Sequence, residues 1–162
     1  FVVGALALVV AGILIFGSGD FFAERPRFVM FFEGSVNGLN VGAPVTFRGV
    51  KIGTVTEINL FFDPTTKNMR IPVIIEFEPE TISLEKQTIR REPYKNLKML
   101  IDRGLRGKLR LQSLVTGLLM IELDFYPDKP AKLIGYDTRY PEIPTISSGL
   151  DQMMKKVEKN IR

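Results

Sequence analysis

The chain has 162 residues, 45% of them hydrophobic, which is one domain's worth and enough for one sizeable core. It contains no Cys, His or Trp, so disulfides, thiolate nucleophiles, His general bases, Cys/His zinc sites and His-ligated haem are all excluded. A formal charge of +4 permits anionic partners but is also the size of ordinary solubility charge.

Phe1 to Gly19 carries no charge, and its first sixteen residues are all apolar or Gly. As a helix this stretch reaches ~28 Å against a hydrocarbon core of ~30 Å. Residues 1–22 are therefore predicted to be a transmembrane anchor, with its missing turn upstream of Phe1. The competing reading is a signal-peptide core cleaved near Gly17-Ser18-Gly19.

From Arg27 the pattern changes to short runs rich in Val, Ile, Phe and Thr, punctuated by Gly, Pro, Asn and Asp. Strands are predicted at Arg27–Glu33, Ala43–Arg48, Val50–Phe62, Met69–Glu78, Gly107–Gln112 and Leu118–Tyr126, with a short seventh near Lys132–Tyr136. Ile71, Val73, Ile75 and Phe77 fall on one face of their strand, as do Leu119, Ile121, Leu123 and Phe125. Pro72 predicts an edge or a bulge. Strands this short and this frequent imply a small β-barrel, a mainly β fold.

A helix is predicted at Pro93–Arg103, stopped by Gly104. A second follows the proline-punctuated link Tyr140–Thr145, capped by Ser147 or Ser148, with Asp151 in its first turn. Leu150, Met153, Met154, Val157 and Ile161 repeat at helical spacing and form an apolar stripe still running at Arg162. The stripe predicts a longer helix that associates with its own copies; packing on its own barrel is the alternative.

No hydrolase nucleophile context and no nucleotide-triphosphate loop occurs, so any energy input comes from a partner. Glu76, Glu78 and Glu80 alternate as a solvated strand face does. Nine basic residues lie between Lys86 and Arg110, opposed only by Glu92 and Asp102. With Tyr94 as the sole aromatic in that window, nucleic acid is a poor partner. The window reads as a solvated helix face, with headgroup or partner-protein contact as the other reading.

Gly34–Val55, GSVNGLNVGAPVTFRGVKIGTV, sets Gly38, Gly42, Gly49 and Gly53 at turn or bulge positions, and Arg48-Gly49-Val50 reads as a tight link between strands. Through Gly42, Pro44, Arg48, Gly49 and Gly53 the run resembles the opening motif of the mammalian-cell-entry (MCE) domain family, G-L-x-x-G-A-P-V-x-x-x-G-V-x-[IV]-G-x-V. The resemblance continues at Arg103–Pro127 and Pro141–Ser148. Phe47-Arg48 looks more like the paraquat-inducible-protein-B branch than the Mla-type branch.

The resemblance implies residues 1–22 as anchor, 23–140 as a seven-stranded barrel, and 141–162 as linker and start of an oligomerising helix. It implies a bacterial inner-membrane protein with its barrel in the periplasm, assembled as a homohexameric ring whose hydrophobic loops line a pore for lipids. Such a protein is not an enzyme and needs no cofactor. Its expected partners are copies of itself, phospholipid or another hydrophobic cargo, and a permease with a cytoplasmic ATPase or another multi-pass membrane protein. Ser113–Gly117 would be the pore loop, with Leu114 and Val115 at its tip and Thr116 beside them; their alternative is to tuck into their own barrel. Leu150, Met153, Met154, Val157 and Ile161 would extend the lipid path. A periplasmic adaptor of an efflux or secretion system is the rival function, and would require a long helical hairpin within the β region.

Overall fold

A computed structural model describes residues 1–17, 25–82, 93–136 and 139–161. The elements in chain order are α1 (Val2–Gly17), β1 (Arg27–Phe32), β2 (Pro44–Phe47), β3 (Val50–Ile58), β4 (Phe61–Asp63), β5 (Asn68–Phe77), α2 (Pro93–Asp102), β6 (Leu105–Leu111), β7 (Leu119–Phe125) and α3 (Gly149–Ile161). The seven strands form one curled sheet in the order β1-β5-β3-β2-β7-β6, with β4 paired to β5. Neighbours are antiparallel except β2 and β7, which run parallel from Val45↔Ile121 to Phe47↔Leu123.

Period-two alternation is what buries one face of this sheet. Val73 and Ile75 from β5 meet Leu119, Ile121 and Leu123 from β7 in the main core, with Ile71, Phe77 and Phe125 packed against it. Met30, Val45, Ile75 and Ile121 are fully enclosed. The helix α2 adds Leu97 and Ile101 to the same core.

The segment 141–146 joins the two edges of the sheet. On one side Val29 N–H donates to the Pro141 carbonyl and Ile143 N–H to the Val29 carbonyl, both at 2.9 Å; on the other Gly107 N–H donates to Pro144 O (3.0 Å) and Ile146 N–H to Gly107 O (2.9 Å). Thr145 Oγ1 donates to Phe31 O at 2.7 Å. The prolines read as a linker thus leave their carbonyls free to accept from both edges.

Lys132–Tyr136 forms no strand. It crosses outside β1 and β5, where Ile134 and Tyr140 cover Val29, Phe31 and Ile74. Glu142 holds it there by accepting from Ile134 N–H (2.8 Å) and Gly135 N–H (3.0 Å). The predicted strand Val50–Phe62 is broken at Asn59-Leu60 into β3 and β4.

Pro72 is not at an edge, since β5 lies between β1 and β3. Asn59 N–H donates to Pro72 O at 3.0 Å, so the side of Pro72 that lacks an N–H faces the β3–β4 break, where no ladder bond is lost.

At the N-terminus, α1 has 16 residues, about 24 Å of helix. Among the described residues no helix is long and apolar enough to cross a membrane. The anchor expected over residues 1–22 begins on α1, and its residues 18–22 lie outside the described residues.

Candidate functional site

The β6–β7 connection is built as a tight, internally bonded loop. Gln112 N–H donates to Leu118 O at 2.8 Å, Gly117 N–H to Ser113 O at 3.0 Å, and Thr116 N–H to Ser113 Oγ at 3.3 Å. Gly117 turns the chain with φ 70. These bonds hold Leu114 and Val115 outward, 86% and 96% exposed, with Thr116 exposed beside them. The two side chains do not tuck into their own barrel. Leaving such side chains in water forgoes ~1.5–3 kcal/mol each of burial free energy.

The helix α3 leaves the barrel at the same end. The segment 141–146 runs parallel to both β1 and β6, so α3 continues past the C-terminal ends of those strands, where the 113–118 loop begins. Ser148, 4% exposed, caps it, accepting from Asp151 N–H at 3.3 Å. Asp151 in the first turn and Lys159 in the last match the helix dipole. Met153, Val157 and Ile161 are 66%, 58% and 80% exposed; the side chains of Leu150 and Met154 lie outside the described residues. We call this the tip end. The start of β1 and the helix α2 lie at the opposite, base end.

Charges brace the hairpin wall beneath the tip. Glu122 on β7 bonds Arg110 and lies 3.6 Å from Lys108 Nζ, both on β6. The Tyr126 hydroxyl first and Glu122 second raise the Lys108 amine above its ordinary pKa, and Glu122 likewise raises Arg110. Across the parallel β2–β7 pair, Arg48 Nε donates to Asp124 Oδ1 at 3.0 Å. The Phe125 N–H first, then Arg48, hold the Asp124 carboxyl below the usual carboxylate range against partial desolvation.

These pairs dissolve much of the basic window. Arg106, 5% exposed, donates to the carbonyls of Ile101 (2.9 Å), Leu105 (2.7 Å) and Lys129 (3.0 Å), tying the end of α2 to the turn after β7. Lys98 lies 3.6 Å from Asp102. Lys86, Arg90 and Arg91 lie outside the described residues. The alternating acids are paired too: Glu76 with Arg25 and Arg27, Glu78 with Lys51, and Glu80 with Arg25.

The motif residues sit where β2 meets β3. Gly42 N–H donates to Val55 O at 2.7 Å, Pro44 begins β2, and Arg48 and Gly49 make the hairpin turn with φ 49 and 88. A methyl on Gly53 would overlap the Glu76 carbonyl of β5. Residues 25–126, covering this motif, the core strands and the apolar loop, match the family model described as MlaD protein.

The chain belongs to the MlaD protein family. MlaD proteins are MCE-domain components of lipid transport, a family of transport components and not of enzymes. A chain of the Acinetobacter MlaFEDB complex, in its ATP-bound Vtrans1 conformation, is 19% identical and superposes with a TM-score of 0.48 over 94% of this chain and 98% of that chain. The assignment to the MlaD family rests on the family match.

Two features were missed in the sequence. One is the role of 141–146 in joining the sheet edges, signalled only by Ile143 between two prolines. The other is the burial of Arg106, which shares the cationic face of β6 with Lys108 and Arg110 and carries no local signal that sets it apart.

Proposed function

We propose that this MlaD-family chain is a membrane-anchored, ring-forming subunit of a phospholipid transport system, and that lipid passes between copies along Leu114, Val115 and the α3 stripe. The observation that carries this reading is the outward placement of Leu114 and Val115 on a rigid loop. The interior of the curled sheet is packed with Met30, Val45, Ile75, Ile121 and their neighbours, which supports a path between copies rather than through one. A ring of six loops, continued by six helices turning Leu150, Met153, Met154, Val157 and Ile161 inward, keeps acyl chains out of water, where each CH₂ costs about 0.8 kcal/mol. Flexible Met side chains suit varied chains.

In this reading residues 1–22 anchor the protein in the bacterial inner membrane as a single pass, with the β domain in the periplasm. N-terminal sequencing of cellular protein should retain Phe1–Phe16; a mature chain starting near Asp20 would make that segment a signal peptide. Since the chain carries no nucleotide-triphosphate loop, energy enters through a permease with a cytoplasmic ATPase or another multi-pass partner. The adaptor reading requires a long helical hairpin, whereas the internal helix among the described residues, α2, has ten residues. Native mass spectrometry of the detergent-solubilised full chain tests the proposal: six copies with bound phospholipid are expected, and a lipid-free monomer at all concentrations would refute it.

A further inference from the structure

The loop joining β1 to β2, residues 33–43, approaches the first turn of α3 and the tip loop through two glycines that differ in kind. The Gly34 backbone is ordinary, and only space restricts it: a methyl there would stand 3.0 Å from Asp151 Oδ1 and 3.3 Å from its Cγ, against the first turn of α3. Gly38 has φ 98, and a methyl there would overlap the Gly117 carbonyl oxygen, the last residue of the tip loop. The Gly38 carbonyl also accepts from Leu119 N–H at 2.8 Å, fixing the start of β7.

Between and beyond these contacts the loop is held to the core. Leu39 is 5% exposed in the main core and Val36 packs against it. Leu39 N–H donates to Val36 O at 2.9 Å, Ala43 N–H to Asn40 O at 3.0 Å, and Gly42 N–H to Val55 O at 2.7 Å. The approach at Gly38 is to backbone, which has little room to relax, whereas that at Gly34 is to the carboxylate end of Asp151, so a side chain larger than a methyl is needed at 34 to press on α3.

We propose that the 33–43 loop aims both lipid-facing surfaces, with Gly34 as the positioning residue for α3 and Gly38 as the positioning residue for the Leu114–Val115 tip. The functional meaning rests on the conduit reading above, while the geometry is measured without it. A lipid path that passes from six tips to six helices is continuous only at one angle between tip and helix, and this loop sets that angle.

The absence of native Cys makes spin-label pairs clean in the full-length protein. Labelled chains are diluted with unlabelled ones so that each assembly carries at most one. Electron–electron resonance distances are then read between Val50→Cys and Val115→Cys, and between Val50→Cys and Val157→Cys. Gly38→Ala should displace or broaden the 50–115 distance and leave 50–157 in place. Gly34→Val should displace 50–157 and leave 50–115, and Gly34→Val with Asp151→Ala should restore it, since the carboxylate that the new side chain meets is gone. Gly107→Ala, which drives a methyl into Met30 in the core, should lower Tm and move neither distance.

Unchanged distances in the Gly34 and Gly38 variants, or equal shifts in Gly107→Ala, would overturn the proposal. If Gly38→Ala fails to fold, the Gly34→Val effect and its rescue decide alone. A photoreactive residue at 115 in the otherwise unsubstituted protein reads the conduit separately. Glycine effects without lipid adducts would refute the conduit and keep the loop's mechanical role.

Discussion

Ile121 and Val115 lie six residues apart on one hairpin, the first fully enclosed and the second 96% exposed. Both are β-branched aliphatics, so composition does not separate them; position does. Ile121 points from the middle of β7 into a core lined by strands on every side, whereas Val115 sits on a turn that bonds itself shut and leaves its side chains outside. The same contrast separates Ile143, buried where 141–146 joins the sheet edges, from Ile161, 80% exposed on α3. Apolar residues in these two regions therefore differ in kind: within the curled sheet they are buried and stabilise the fold, and at the tip end they stand exposed to solvent.

That contrast breaks first in the core. Ile121→Ala should lose about 2–5 kcal/mol in urea unfolding, while Val115→Ala should change stability by no more than about 0.5 kcal/mol. Equal losses at both positions would mean that the tip is core after all.

The next largest effect is expected at Arg106. Replacing it with Met keeps volume but strands the carbonyls of Ile101 and Lys129, at a cost of about 2–4 kcal/mol measured by thermal or urea unfolding. An unchanged Tm would show that the tie between α2 and the turn after β7 contributes little.

The smallest effect sharpens the comparison from the polar side. The Asp124 carboxyl is held below its ordinary pKa of 3.8, so its contribution is complete above that value and fades as pH falls through the lower folded-state value. Because the pair with Arg48 is largely solvated, Asp124→Asn should cost only about 0.2–1 kcal/mol at pH 7, with the difference from the parent shrinking under acid. A difference that grew toward low pH would reverse the sign of this account.

The curled sheet was largely legible in the sequence because burial on one face of a strand leaves a period-two signature, whereas β1 and β6 do not pair to close it as a barrel. Ile71 to Phe77 and Leu119 to Phe125 carried it, and both sets face the core. The seventh strand was misplaced because Lys132–Tyr136 looks β-like locally, while Pro141–Ile146 looks like a linker; what decides between them is the pair of open sheet edges, a nonlocal fact. Pro72 signalled a broken ladder correctly but not which strand breaks, since a missing N–H is relieved equally by an edge or by a gap in the neighbour. The basic window overstated a surface patch because sequence spacing does not reveal that Glu122 faces both Lys108 and Arg110, or that Arg106 turns inward.

The tip was legible as an apolar loop but not as an exposed one, because hydrophobic pattern alone does not distinguish a turn that folds back from one that stands out. The loop's own hydrogen bonds decide it. Gly38 was legible as a turn glycine but its contact with Gly117 was not, and Gly34 carried no signal, since the residues they approach lie more than seventy positions away in sequence.

The central claim is tested most directly by replacing Leu114 and Val115 together with Asp and measuring two quantities on the same protein: the melting temperature, and the yield of lipid crosslinked through a photoreactive amino acid placed at 114 or 115 in the otherwise unsubstituted chain. A conduit surface predicts lipid adducts at both positions and a double variant that melts with the parent, keeps its assembly and no longer transports lipid, because six copies place carboxylates in the acyl path. A double variant that melts far below the parent, with no adduct at either position, would contradict it.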